Sequence, residues 1–299
     1  MNNFKFHGKP MGPYLSYLQQ QGVLEIYLNE HENREAHSNA YTTALPDHAY
    51  CDNWVAERGL DLLDRAPTDR PWHMVVNFVG PHAPMDITET MRSKCNNMVI
   101  PQPHNPFMPA KENTGRARRN YAAMIENIDR LTGSFVEKVK NRGEYDNTVI
   151  VYASDHGDML GDHGKWGKGT WRDSAVRIPL IVRDPFSSYG GLRSNALVSL
   201  HDLTATFLDF AGCSQLDDMD SISFRPLLDG KCTEHRELLI SEFGDWSLVF
   251  DGRYKLVLDS KKENLLFDLK TDPLEDHNIA SKHPDIITKL SKSAYSDKS

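Results

Sequence analysis

The stretch YASDHGDMLGDHGKWGKGTWRDSAVRIPLIVRDP, residues 152–185, decides how this chain is read. It opens on the end of an apolar run, TVIVYAS (148–154), whose lack of polar alternation predicts a strand buried on both faces. Asp155 and His156 stand at the carboxyl end of that strand, and glycines follow at 157, 161, 164, 167 and 169. In open α/β sheets, ligands bind in the crevice beyond the carboxyl ends of the strands. Adjacent Asp and His there offer a carboxylate oxygen and an imidazole nitrogen to a divalent cation, and glycines let backbone approach a ligand closely. Lys168, in the same loop, brings a point charge suited to an oxyanion such as sulfate or phosphate. A strand-end Asp-His pair alone is equally compatible with a turn or a cap. Asp158, Asp162 and His163 read as turn and solvent residues.

Working outward, VVNFVGPHAP (75–84) repeats the pattern. Here HMVVNFVG (73–80) predicts a second buried strand, and His82 follows it between Pro81 and Pro84. A histidine at such a point either stabilises its own turn or serves a bound oxyanion as hydrogen-bond partner or proton donor. If the two strands neighbour one another in one sheet, His82 converges with Asp155, His156 and Lys168. RIPLIV (177–182) predicts a third strand. Helices are expected at about 47–65, at 116–141, where Tyr121, Met124, Ile128, Leu131, Phe135 and Val139 recur at helical spacing, and at 202–210. Strands alternating with amphipathic helices define an α/β class with a largely parallel sheet flanked by helices.

The two ends of the chain differ from this middle. Residues 1–46, with Gly8, Pro10, Gly12 and Pro13 close together, read as an irregular, insertion-like segment. After residue 230 the pattern turns antiparallel: ELLISEF (237–243), then SLVF and RYKLVL flanking Asp251-Gly252 as a hairpin, then NLLFDL (264–269) and a terminal helix past Pro284. The expected organisation is an α/β core over 1–230 and a small antiparallel subdomain over 231–299.

Composition narrows the classes. The 299 residues carry a formal charge of −8, against general binding of nucleic-acid backbone, and no apolar run reaches the roughly 20 residues that span a bilayer. The Arg116, Arg118, Arg119 cluster reads as a solvated helix face. Cys51, Cys95, Cys213 and Cys232 form no C-x-x-C pair, so they read as buried or unreactive thiols. The compartment and the oligomeric state stay open.

At PWHMVVNFVGPHAP (71–84), NYAAMIENIDRLTGSF (120–135) and the SDHGDMLGDHG…GKG…RIPLIV block (154–182) the chain resembles the sulfatase branch of the alkaline-phosphatase superfamily. PLLDG (226–230) and RYKLVLDS…LLFDLKTDPLEDHNIA (253–280) echo it more weakly. The resemblance implies that Asp155 and His156 ligate a divalent cation, calcium first and magnesium or manganese as alternatives. It implies that Lys168 binds sulfate and that His82 is a second contact to the sulfate or leaving-group oxygen, so that both are catalytic and substrate-binding residues. The implied substrate is a small sulfate ester of a sugar, aryl or alkyl group, and Trp166 and Trp171 flank Lys168 where a ring would stack, though both also suit packing.

The family pattern is incomplete in this sequence. Members attack sulfur with a formylglycine made from Cys or Ser in a C-x-P-x-R type motif, and no Cys or Ser here fits it; SISFRP (221–226) is the nearest approach. No Asp-Asp strand precedes residue 71, no G-K-W-H type loop is present, and Trp171, Arg172 and Asp173 stand where the family commonly has Tyr-Glu. The expectation is a sulfatase-like chain that begins after its nucleophile segment, lacks the first strand of its sheet, and leaves a neighbouring strand edge unpaired. Two other readings are a phosphodiesterase or phosphonate monoester hydrolase of the same superfamily, and a non-catalytic binding module retaining the fold.

Overall fold

The computed structural model describes residues 5–6, 9–10, 12–35, 39–106, 113–259 and 261–296. Two compact units divide the chain, Met1–Asp146 and Asn147–Ser299, a boundary earlier than the one expected at 230/231.

The first unit begins with a two-residue antiparallel pair, β1 (Lys5–Phe6) and β2 (Lys9–Pro10). Two helices follow, α1 (Pro13–Gln20) and α2 (Leu24–Glu32). The segment 1–46 is therefore not the irregular stretch its glycines and prolines suggested. Pro13 occupies the first turn of α1, where a missing N–H leaves nothing unsatisfied. Leu15, Leu18, Leu24 and Leu28 are buried with Leu45 and Ala49, and Tyr14, Tyr17 and Tyr27 pack around them.

Next come β3 (Ala40–Thr42), α3 (Cys51–Asp64), β4 (Met85–Ile87), α4 (Glu89–Cys95) and the 28-residue α5 (Thr114–Asn141). β3 and β4 pair in parallel. From α5, the Asn120 amide donates to the carbonyls of Tyr41 (3.2 Å) and Met85 (2.8 Å), tying the helix to both strands. Ala117, Ala123, Met124, Ile128 and Leu131 form its buried stripe at the spacing read from sequence. α3 approaches α5 so closely that a Cβ on Gly59 would stand 2.7 Å from the Phe135 ring.

HMVVNFVG (73–80) departs from expectation. Its residues alternate between exposed and half-buried, no strand is assigned, and Val75 and Val79 are 65% and 58% exposed. An apolar run is buried on both faces only when strands flank it, and among the described residues this one has no ladder partner. Its end is instead pinned by Asp52, which is buried and accepts hydrogen bonds from the backbone N–H groups of Val79 (2.8 Å) and Gly80 (3.1 Å).

The second unit contains β5 (Ile150–Ala153), α6 (Asp173–Val176), β6 (Leu180–Arg183), α7 (Asp202–Phe210) and α8 (Arg225–Leu228). β5 and β6 are antiparallel, so of the sheet expected to be largely parallel the described residues show one parallel pair, β3 with β4. The expected C-terminal antiparallel sheet is present as β7 (Leu239–Phe243), β8 (Trp246–Phe250), β9 (Tyr254–Asp259) and β10 (Leu265–Asp268), in the order β10-β9-β8-β7, followed by α9 (Pro284–Ser296).

The turn between β8 and β9 is the one read at Asp251-Gly252, with the Asp251 carboxylate accepting the N–H groups of Arg253 (3.0 Å) and Tyr254 (2.7 Å). One face of this sheet buries Val249, Leu256 and Leu266 completely with Leu290 of α9, at about 2 kcal/mol of apolar burial per side chain. The opposite face carries Leu248, Lys255, Val257 and Phe267, all buried. There the Trp171 ring stacks on Phe267 at 5.1 Å between centroids. Among the described residues no helix is long and apolar enough to cross a membrane.

Candidate metal and oxyanion site

β5 delivers Asp155 and His156 just past its end, as the apolar run predicted, although its residues are half-buried rather than buried on both faces. The Asp155 carboxylate is open to solvent and accepts the His156 N–H at 2.9 Å. His156 Nδ1 lies 2.8 Å from the Gly157 carbonyl oxygen. A carbonyl only accepts, so Nδ1 carries a proton and Nε2 is the ring nitrogen left for another partner. That Nε2 lies 3.4 Å from Asp155 Oδ2, so one carboxylate oxygen and one imidazole nitrogen converge. Imidazoles that bind metals ordinarily donate their other N–H to a carbonyl or carboxylate, which fixes the tautomer.

Gly157 makes this turn possible. A Cβ there would lie 2.1 Å from the Ser174 carbonyl oxygen, and the Gly157 N–H donates to Ala175 at 2.8 Å. The loop and α6 are in backbone contact, which no other residue type allows.

Lys168 is exposed, and among the described residues its ammonium has no ion-pair partner. Its backbone is shaped by short-range bonds: Met159 N–H to Gly167 O (2.9 Å), Gly167 N–H to Asp158 Oδ1 (3.1 Å) and Thr170 N–H to Lys168 O (2.7 Å). Asp158 is thus the turn residue it was read to be. His163 is not a solvent residue. It is buried, with Nε2 2.9 Å from Arg172 Nη1 and 3.1 Å from the Leu274 carbonyl oxygen.

The two tryptophans part company. Trp166 is 39% exposed, while Trp171 packs on the C-terminal sheet. In the first unit, His82 is exposed, and its Nδ1 lies 2.7 Å from the Ala83 carbonyl oxygen, so Nδ1 is the donor of that bond.

Three residues of the second unit escaped the sequence reading. Lys255 of β9 is 2% exposed, and its ammonium reaches Glu275 Oε1 (2.5 Å), Asp173 Oδ1 and the Trp171 carbonyl (3.4 Å). Glu275 is buried and accepts the Asp173 N–H at 3.1 Å through Oε2. Arg172 donates to the Glu275 carbonyl at 3.1 Å. Nothing within a short window announces this cluster.

Comparison with known proteins gives the family and the fold. Residues 8–213 match the family model described as Sulfatase, and residues 161–297 match the one described as N-sulphoglucosamine sulphohydrolase, C-terminal. The chain is 28% identical to an arylsulfatase of Clostridium perfringens (76% of this chain, 53% of that one). It is 29% identical to a choline-sulfatase of Rhizobium meliloti (82% and 54%). Among solved structures, a phosphonate monoester hydrolase of Agrobacterium radiobacter superposes with a TM-score of 0.77 at 21% identity (95% and 68%). A protein solved in complex with its substrate D-glucosamine-2-N,6-O-disulfate superposes with 0.74 at 20% (83% and 69%). The fold is therefore the one these solved structures share. The chain belongs to the sulfatase family. It spans about half the length of the curated relatives it matches.

Proposed function

We propose that this chain supplies the metal- and sulfate-binding wall of a sulfuric ester hydrolase acting on a small sulfate ester. The observation that carries the reading is the Asp155–His156 pair: two ligand atoms 3.4 Å apart, one of them an imidazole nitrogen bared by the Gly157 carbonyl. Two ligands of one cation at about 2.0–2.4 Å each lie at comparable separation. Asp155 and His156 would hold the divalent cation, calcium first. A bound cation of this kind withdraws charge from a sulfate oxygen.

Lys168 adds a positive charge to the same anion. His82, in the first unit, is proposed separately as an imidazole suited to a sulfate or leaving-group oxygen. Trp166, exposed two residues before Lys168, offers a face to a sugar or aryl ring. No residue of this sequence matches the formylglycine motif, so the nucleophile is not assigned to it. Arylsulfatase, choline-sulfatase and N-acetylglucosamine-6-O-sulfatase relatives support sulfate esters as the substrate class. The phosphonate monoester hydrolase folds make phosphoryl esters the second reading.

The test is calorimetric titration of the purified chain with calcium, magnesium and manganese. Two protein ligands out of roughly six to eight predict weak calcium binding, on the order of millimolar. Binding should vanish in Asp155→Asn/His156→Ala. Equal binding by that double variant, or none by the parent chain, removes the metal site. Inorganic sulfate and phosphate titrated against Lys168→Ala then separate the two ester classes.

A further inference from the structure

The Lys255 cluster lies wholly within the second unit and takes no part in the metal site just described. Its chemistry is complete. An ammonium has three N–H donors, and Lys255 has three acceptors: Asp173, Glu275 and the Trp171 carbonyl. Its charges also balance, two cations (Lys255, Arg172) against two carboxylates (Asp173, Glu275). Buried charges persist only when paired in this way.

What the cluster grips is specific. Asp173 and Trp171 end the loop that starts at Asp155, and Arg172 joins the same turn to His163 earlier in that loop. Lys168 lies between these two anchored points, five residues after His163 and four before Arg172. The side chain that binds the cluster together comes from β9, in the middle of the C-terminal sheet, and Glu275 comes from the turn after it. The C-terminal sheet is thereby tied to the loop that carries Lys168.

We infer that Lys255, through Asp173 and Glu275, is a positioning residue that fixes the His163–Asp173 arm and so the presentation of Lys168 to an oxyanion. The importance of Lys168 rests on the functional reading above; the fixing of the arm does not. A rigid arm holds the ammonium near its binding geometry before the anion arrives, which lowers the ordering cost of binding.

The experiment compares the parent chain with Lys255→Met and with Lys255→Met/Asp173→Asn. The double variant removes one cation and one carboxylate at nearly constant volume and leaves Arg172 paired with Glu275, so it keeps the fold if the single change unfolds it. Hydrogen exchange is followed peptide by peptide, and inorganic sulfate is titrated alongside. The expected result is at least tenfold faster exchange over residues 157–172 with unchanged protection of β7–β10, and about tenfold weaker sulfate binding. Unchanged exchange in the arm overturns the inference, as does an equal loss of protection in β7–β10, which would make the cluster a general stability element. If the parent chain binds no sulfate, the functional reading of Lys168 fails, and the exchange data still decide whether Lys255 fixes the arm.

Discussion

Asp202 shows how one residue sets a pH limit on this fold. It lies in the first turn of α7 with no exposure, where its carboxylate accepts the N–H groups of Ser199 and Ile222 (2.9 Å each), His235 Nε2 (3.1 Å) and both arms of Arg236. Burial alone raises its pKa, but the hydrogen bonds from Arg236, Ile222 and Ser199 outweigh burial and bring it down to about 2. The unfolded value is about 3.9, so the folded state prefers the ionised form. The resulting stability is complete above about pH 4 and disappears as pH falls through about 2. Arg236→Met should therefore cost about 3 kcal/mol at pH 7, read as a lower urea midpoint, because it strands a buried carboxylate. The gap between parent and Asp202→Asn should narrow steadily as the buffer is taken from pH 5 to pH 2. At this scale the sequence was partly informative: Asp202 was readable as a helix start, while Arg236, 34 residues on, was not. Similarly, Cys95 is buried and Cys213 and Cys232 are exposed, a split that cysteine spacing did not foretell, and Arg118 and Arg119 are half-buried rather than fully solvated.

Elements were legible where their stabilising contacts repeat at short range. α5, the β8–β9 hairpin and α9 announce themselves through 3.6-residue periodicity, an Asp-Gly turn and a proline start. α1 was hidden by the same Pro13 that begins it, since proline marks both loops and first helical turns. The 73–80 run misled for the opposite reason: its composition reports how well it could be buried, not what stands beside it. α3 and α5 give a paired prediction. Gly59→Val forces a side chain toward Phe135, 2.7 Å from the would-be Cβ, and should lower stability by about 2 kcal/mol. Gly133→Ala, at an exposed position of α5 with nothing within 4 Å, should raise it by about 0.5–1 kcal/mol. Thermal melts of the two variants in one buffer check both signs.

At the scale of the whole molecule, each unit leaves apolar strand-like sequence uncovered. Val75 and Val79 are 65% and 58% exposed in the first unit, and Ile181 is 64% exposed in the second. Unpaired apolar edges recruit other chains. Light scattering should therefore grow with protein concentration, and Val75→Lys/Val79→Lys should reduce it several-fold without lowering the melting temperature. Unchanged scattering in that variant would place the association elsewhere. The Asp155–His156 pair and Lys168 were readable because strand end, glycines and charge lie within one short window. The support beneath them was not, because Lys255 and Asp173 are 82 residues apart and Glu275 and Asp173 are 102. Proximity of that kind is created by folding and leaves no periodic trace.

That separation has a historical side. Lys255, Asp173 and Glu275 share one ammonium and two carboxylates, so no single apolar substitution among them conserves charge. A lineage that exchanges this triad for apolar residues must pass through a chain with a stranded buried charge, costing about 3–5 kcal/mol, or change several distant codons together. Descendants should keep all three residues or none, and a survey of related genes would show them inherited as one character.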